Sequence, residues 1–399
     1  MNILYINNDM GISGSPKAIL TEVVELKKRG HKVVVVSRYG ELVEDLKSNN
    51  IIHYEVDLPI MGKAQIINNS KITLSENLRF FKNLFQKNRF FNSYFKLKKI
   101  ILEEEIDIIQ AHQPGPSLVG YFAAKKMSCP LVIRVQHILR NEFPSPFYRK
   151  IVRYASQVSV ITEEVRDYMI NIYNIKSSKI KIIPTLVDFQ GSAPLIDRNN
   201  QRNCQGKIKL LTVTTLGSAK YQSVLNLIQA VQKLHDSGNE CELTIVGDGD
   251  FRTHIEKEIK KNNQEGYIKM MGAQKDVTPF YDTTDVVVGV GRVAMEALYY
   301  GKLLICCSHF SYAGIFSEEN ASAISAYNFS GRNYPGDSLD YLNIYKDLER
   351  FSKLSQHEYE SMSKFNKAFF EEKFRAEQIG EDTEKLFLSY NTNNQVSFK

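Results

Sequence analysis

The chain has 399 residues, 43% of them hydrophobic and 24% charged, with a formal net charge of +6. That composition belongs to an ordinary globular protein and excludes a disordered or fibrous chain. The length makes two domains the prior, and a charge this mild does not by itself point to nucleic acid as a partner.

In chain order, short β-branched runs alternate with amphipathic stretches, the pattern of parallel sheets built from βαβ units. A first set of strands is expected at NILYIN (Asn2 to Asn7), KVVVVS (Lys32 to Ser37), DIIQAH (Asp107 to His112), LVIRVQ (Leu131 to Gln136), VSVIT (Val158 to Thr162) and KIKIIP (Lys179 to Pro184). Ile19, Val23 and Leu26 fall on one helical face, and Gly30 suits that helix's C-terminus. Between Glu76 and Glu103 there is no acidic residue, while Arg79, Lys82, Lys87, Arg89, Lys96, Lys98 and Lys99 interleave with Phe80, Phe81, Phe85, Phe90, Phe91, Tyr94 and Phe95. Three readings are open for 79–99: rings buried by a helix with a solvated basic face, contact with an anionic membrane surface, and, least favoured, contact with nucleic acid, which is not expected as a partner.

Residues 191–206 are polar, contain Gly and Pro and lack periodicity, so they read as a linker between a domain at 1–190 and one at 207–360. The second set of strands is expected at IKLLTVT (Ile208 to Thr214), ELTIV (Glu242 to Val246), YIKMM (Tyr267 to Met271), DVVVG (Asp285 to Gly289) and LLICC (Leu303 to Cys307). Val224, Leu227, Ile228, Val231 and Leu234 give the intervening helix one apolar face. Terminal helices are expected at 361–390, packing back toward the N-terminal domain, with a tail at 391–399. Cys129, Cys204, Cys241, Cys306 and Cys307 form no CxxC pair and no Cys/His cluster, and they read as reduced core residues. Met1 to Asn7 ends in polar residues rather than opening a secretory signal, and no run approaches the roughly 18 apolar residues that cross a bilayer. A cytoplasmic location is expected, with any membrane association peripheral, at the inner face of the cell membrane.

The fold expectation is two doubly wound, Rossmann-like α/β domains facing a cleft, where ligands bind beyond the carboxyl ends of the strands. The turn after the first strand, Asn8 to Pro16, contains Gly14 and opens a helix whose amides suit a phosphate, or it is a plain turn. Gly289-Val290-Gly291-Arg292-Val293-Ala294 matches a dinucleotide fingerprint literally, yet it lies outside the first βα unit and lacks the acid about 20 residues on, so an NAD site is not expected. Asp248-Gly249-Asp250 imitates a metal-binding pair, and a turn with solvent-facing acids explains it equally well.

Taken together, IKLLTVTTLGSAK, ELTIVGDGDFRTHIE, IKMMGAQKDVTPFYDTTDVVVG and GRVAMEALYYGKLLI, with KKRGHKVVVVS, DIIQAHQP, VSVITEEV and KIKIIPTLVD, resemble the retaining family 4 glycosyltransferases (glycosyl transferase group 1) over roughly Met1 to Ser308. The resemblance implies a GT-B fold, a nucleotide-sugar donor in the C-terminal half, a glycan or lipid-linked acceptor on the N-terminal half, and no metal or other cofactor. It implies that Glu296 accepts from the ribose hydroxyls of the donor, that Lys220 neutralises the diphosphate, and that His112 lines the reaction centre. Gly14, Thr215, Gly247, Gly272, Gly289, Gly291 and Arg292 are counted as donor-binding positions. The departing phosphate would help take the acceptor proton, so no protein nucleophile is implied.

Three departures stand out against that pattern: Thr215 where an Arg is usual, Val288 where a Glu is usual, and Thr185-Leu186 in place of Asn-Gly. Arg292, at a helix N-terminus, is expected to replace the missing cation. The main expectation is sugar transfer to a cell-surface glycan or lipid-linked acceptor. The alternatives are a noncatalytic GT-B partner protein and a sugar-nucleotide epimerase.

Overall fold

Continuous runs such as Ile3 to Ile6 and Val33 to Val36 are buried on both faces of a sheet, which is why they read as unbroken hydrophobic stretches rather than alternating ones. The computed structural model describes residues 1–59, 88–138, 145–187, 207–309, 311–334 and 340–391. The linker expected at 191–206, the tail residues 392–399, residues 79–87 of the basic segment, and Cys204 lie outside them. The chain forms two units, one of Met1–Asp188 with Ala376–Lys399 and one of Phe189–Arg375.

In the first unit the elements are β1 (Asn2–Asp9), α1 (Gly14–Lys28), β2 (Lys32–Arg38), α2 (Val43–Ser48), β3 (Ile52–Glu55), α3 (Arg89–Glu103), β4 (Ile108–His112), α4 (Pro114–Met127), β5 (Leu131–Val135), α5 (Ser145–Tyr154), β6 (Gln157–Val160), α6 (Glu163–Asn171) and β7 (Ile180–Ile182). The seven strands lie in the order β3-β2-β1-β4-β5-β6-β7, and every pairing is parallel. Strand order reverses direction between β1 and β4, the switch point at which open α/β sheets bind ligands. One face of this sheet, with Leu4, Ile6, Ile109 and Ile133, packs against Leu97 and Ile101 of α3, Leu118 of α4, Ile151 of α5 and Met169 of α6.

The opposite face carries Tyr5, Gln110, His112, Arg134 and Ser159, all buried. The register puts Tyr5 beside Gln110, His112 beside Arg134 and Arg134 beside Ser159. α1 covers part of this face with Ile19, Val23 and Leu26 buried as their spacing predicts. β3, a four-residue edge strand, was not among the expected strands.

The second unit contains β8 (Ile208–Val213), α7 (Ser218–Asp236), β9 (Cys241–Val246), α8 (Arg252–Lys261), β10 (Ile268–Gly272), α9 (Thr278–Asp282), β11 (Val286–Gly289), α10 (Arg292–Tyr299), β12 (Leu303–Cys307), β13 (Tyr312–Ile315), α11 (Ala321–Ser325), α12 (Tyr341–Ser352) and α13 (Gln356–Phe374). Its six strands run β10-β9-β8-β11-β12-β13, with β13 antiparallel to β12 and a switch point between β8 and β11. Val224, Leu227, Ile228, Val231 and Leu234 of α7 enter the core as one face.

The stretch expected as one group of terminal helices divides. α13 opens with a capping box of Ser355 and Glu358 and stays with the second unit, where the Asn366 amide donates to the Lys302 carbonyl at 2.8 Å. α14 (Ala376–Asn391) belongs to the first unit. Phe387 meets the Tyr5 ring edge-on at 6.4 Å, and Glu384 pairs with Arg29 at 3.1 Å and His31 at 2.8 Å. Gly380 allows this helix to lie close to α1, since a Cβ there would stand 2.6 Å from Glu25 Cγ. Cys129, Cys241, Cys306 and Cys307 are buried free thiols.

Candidate functional site

At the carboxyl ends of β8 and β11, on the switch point of the second sheet, lies a pocket of about 80 Å³ lined by residues that include Thr214, Lys220, Ser223, Val288, Gly289 and His309. Lys220 stands in the first turn of α7, and burial pushes its ammonium below the usual lysine range. None of the carboxylates among the described residues forms an ion pair with it.

Only Val290 and Gly291 connect β11 to α10, so the helix starts directly above the strand end. Gly289 is required by this tight packing: a Cβ there would meet Val293 Cγ1 at 2.6 Å. Gly291 has φ 58° and donates its N–H to the Asn328 carbonyl at 3.1 Å. These packing demands account for the glycines of the dinucleotide-like run.

Glu296, one turn along α10, is buried. Its Oε2 accepts from the Tyr281 hydroxyl at 2.7 Å and its Oε1 from Arg292 Nε at 2.9 Å. A carboxylate offers about four acceptor positions, so about two remain for a ligand. Arg292 is therefore a clamp on Glu296, while its Nη1 is buried with no partner among the described residues. Tyr281 was missed from the sequence because nothing in its spacing separates it from an ordinary core aromatic.

Thr215, Gly247 and Gly272 do not line the pocket. Thr215 is exposed just past β8. Gly247 has φ 143°, and a Cβ there would strike the Thr214 carbonyl oxygen at 1.8 Å, so it backs the strand end as a packing glycine. Gly272 abuts the Arg252 guanidinium. Val288 lies inside β11 with 4% exposure, so a carboxylate at that position would be buried in the core; the apolar side chain is what its place demands. Asp248 is held by the Gly249 N–H at 2.7 Å and by Arg252 at 3.1 Å. Among the described residues no group of three or more His, Cys, Asp or Glu side chains is arranged to hold a metal.

In the first unit, the candidates gather at the β1/β4 switch point. Gly14 begins α1 and is exposed, with open space where a Cβ would stand. A polar chain closes this end of the sheet: Gln113 Oε1 accepts from the Asn8 N–H at 3.3 Å, Gln113 Nε2 donates to Ser15 Oγ at 3.2 Å, and Ser15 donates to Gln136. Gln113, directly after His112, holds φ 55°, an uncommon backbone region for a side chain of this size. His112 has no exposed surface and stacks on Tyr5 at 5.7 Å. Burial, then the Arg134 charge, lowers its pKa to about 3, with Gln136 acting in the opposite direction. The polar set behind it, Glu22, Gln110 and Arg134, was missed because each sits on the buried face of its element with no motif to mark it.

Two family profiles match this chain: Glycosyltransferase Family 4 over residues 12–190 and Glycosyl transferases group 1 over residues 196–331. The chain belongs to the family 4 glycosyltransferases. Its fold is that of a glycosyltransferase from Rickettsia africae, with TM-score 0.69 at 18% identity over 98% of each chain. HepE of Anabaena, solved in complex with UDP and glucose, has TM-score 0.69 at 16% identity over 98% of this chain and 100% of its own. These likenesses establish the GT-B fold. In sequence, the GtfA subunit of a UDP-N-acetylglucosamine–peptide N-acetylglucosaminyltransferase from Limosilactobacillus reuteri is 33% identical over 104 residues, 25% of this chain and 20% of that protein. The chain thus spans about a fifth of that relative's length. No helix of the described residues is long and apolar enough to cross a membrane.

In this family member, then, Lys220, Gly289 and Val288 meet at one pocket, and Glu296 with Arg292 stands on the helix that rises from its rim. Gly14 and His112 belong to the switch point of the other unit.

Proposed function

We propose that this glycosyltransferase transfers a sugar, with retention at the anomeric carbon, from a UDP-sugar to a cell-surface glycan or lipid-linked acceptor. The observation that carries the donor reading is the Lys220 ammonium, half-buried at a pocket rim without a carboxylate partner among the described residues. A buried cation is costly unless an anion completes it, and a diphosphate supplies that anion. Glu296 has acceptor capacity left for two ribose hydroxyls, and Arg292 adds positive charge where Thr215 brings none. The choice of uridine follows the UDP named for HepE and the UDP-N-acetylglucosamine named for the GtfA subunit.

As the glycosidic bond breaks, Lys220 and the amides at the start of α10 stabilise charge developing on the leaving phosphate. The leaving group takes the acceptor proton, so the protein supplies no nucleophile. The one thiol at the pocket supports this, since burial pushes Cys307 up to about 12 and leaves it unionised. Calorimetric titration with UDP-, GDP- and ADP-sugars tests the reading: micromolar binding of a UDP-sugar, lost on Lys220→Met, is expected. Absence of binding by every donor would leave the noncatalytic partner as the better account.

A lipid-linked acceptor gains support from α3, which buries Ser93, Leu97, Ile100 and Ile101 but leaves Phe91 47% and Phe95 61% exposed beside Lys96 and Lys99. Aromatic rings at an interface with roughly 1 kcal/mol from each lysine suit an anionic bilayer surface. Cosedimentation with phosphatidylglycerol vesicles should fall when Lys96, Lys98 and Lys99 are replaced by Gln; equal binding removes the membrane part.

A further inference from the structure

The seam behind His112 decides which of its ring nitrogens carries the proton. Tyr5 Oη and Gln110 Nε2 both donate to Glu22 Oε1, at 2.7 and 2.9 Å. A carboxylate only accepts, so the nitrogen and not the oxygen of the Gln110 amide faces Glu22. The same nitrogen stands 3.2 Å from His112 Nε2. Its second hydrogen makes Nε2 the accepting atom, and the proton of the neutral ring therefore sits on Nδ1.

Nδ1 is buried and has no hydrogen-bond partner among the described residues. Gln136, which follows β5 at the carboxyl end of the sheet, is the neighbour that favours a proton on the ring. Its oxygen accepts from the Ser15 hydroxyl and keeps a second lone pair, but it makes no hydrogen bond of ordinary geometry with Nδ1. A buried donor left without an acceptor is rare in folded proteins and marks a place where a ligand or water completes the bond.

We propose that Glu22 and Gln110 are positioning residues that hold His112 as the neutral Nδ1–H tautomer, so that it meets an oxygen of the bound sugar or acceptor as a hydrogen-bond donor and not as a base. The ligand half of this rests on the glycosyltransfer reading above; the tautomer half does not. The depressed pKa of the ring, driven by burial and Arg134, agrees with a histidine that stays neutral. Glu22 and Gln110 act through His112 and touch no substrate.

The experiment uses the full chain labelled with nitrogen-15 histidine, His112 being assigned by its absence in His112→Asn, and reads each ring by long-range proton–nitrogen correlation. The expected wild-type signature is a protonated Nδ1 and an unprotonated Nε2, unchanged from about pH 5.5 to 8. Gln110→Leu, or Gln110→Met should the leucine variant not fold, is expected to bring in the Nε2–H form. Glu22→Gln should do the same in part, because an amide no longer dictates which way Gln110 faces. A protonated Nε2 in the wild type, or an unchanged ring in these variants, overturns the proposal.

A kinetic arm separates the two halves. Asn places an amide donor near the Nδ1 position and Gln near the Nε2 position, so His112→Asn should keep kcat within about tenfold while His112→Gln loses about 100-fold, with KM for the donor little changed. The reverse order refutes the donor role. If the Nδ1–H tautomer is found and no nucleotide sugar is turned over, the positioning role of Glu22 and Gln110 stands and the glycosyltransfer reading is the one that fails.

Discussion

Replacing Glu296 separates its ligand role from its structural one, provided the substitution is chosen from the hydrogen bonds it makes. In Glu296→Ala the Tyr281 hydroxyl and the Arg292 Nε, held at 2.7 and 2.9 Å in the native protein, both lose their acceptor. With both sites largely buried, that costs roughly 2–4 kcal/mol of stability, so lost binding in this variant would be ambiguous. Glu296→Gln keeps one acceptor oxygen for Tyr281 and removes the charge. If the carboxylate accepts from the two vicinal ribose hydroxyls, the change forfeits about one charge-assisted bond, roughly 1.5–3 kcal/mol, which is about 10- to 100-fold in Kd. The assay is calorimetry with UDP against 2′,3′-dideoxy-UDP, with thermal unfolding as the control. Wild type should prefer the ribonucleotide, and Glu296→Gln should lose that preference while unfolding within a few degrees of wild type. A variant that still discriminates the two nucleotides as wild type does would refute the ribose role of Glu296.

Lys220→Met should weaken UDP by about tenfold or more and leave uridine unaffected. Because burial depresses the Lys220 pKa below the ordinary lysine value of 10.5, UDP affinity should fall as pH rises through that depressed value. The unliganded protein should gain stability over the same window up to 10.5, since there the unfolded chain binds more protons; titration of both quantities against pH, in wild type and Lys220→Arg, checks the sign. For His112 the folded value of about 3 lies below the unfolded 6.5, so stability is lost as pH falls below 6.5, by about 3 kcal/mol at pH 4. Urea unfolding followed by a first-unit probe should show a shallower acid loss in His112→Asn, and an identical profile would contradict the assignment. Gly289→Ala, with its Cβ 2.6 Å from Val293 Cγ1, should destabilise by roughly 1–3 kcal/mol and be rescued by adding Val293→Ala; no rescue would mean the glycine serves something other than packing. Transfer should continue at an unchanged rate in excess EDTA, and its abolition would overturn the metal-independent reading.

Most of both sheets was legible in the sequence because the inner strands of the first sheet and β11 and β12 of the second are largely buried on both faces and so appear as unbroken apolar, often β-branched, runs. The expected and observed segments differ mainly by a residue or two at their ends, as at Val158 to Thr162 against Gln157–Val160. The two strands that escaped, β3 and β13, are both at sheet edges. An edge strand buries less: in β3 no residue is buried, and β13 carries a glycine and runs antiparallel. Neither offers the continuous apolar run that marks the inner strands. The division of the terminal helices was equally hidden, because Arg375 and Ala376 sit between two amphipathic patterns and nothing local says that they belong to different cores.

The sites show the same asymmetry from another side. Residues in the helix turns that follow βα connections, such as Gly14, Lys220 and Glu296, carry a local signature, since strand, turn and helix announce where an anion can approach. What sets their chemistry comes from partners scattered through the chain: Tyr281 for Glu296, and Glu22, Gln110 and Arg134 around His112. Those partners are polar residues placed on the inward face of strands and helices that otherwise bury apolar side chains. A lone Gln in DIIQAH or the first Glu of LTEVVEL has no periodicity to declare it, and only the sheet register, which sets Tyr5 against Gln110 and His112 against Arg134, turns them into one network. Glu22 and Arg134 are ionisable groups buried in a hydrophobic unit, costly unless each is answered by hydrogen bonds. Glu22 is answered by Tyr5 and Gln110, and Arg134 by Ser159 and the Pro184 carbonyl. A core that pays for stability alone would fill these positions with leucine and methionine; holding one imidazole neutral and oriented at the end of β4 is a task that such residues cannot perform.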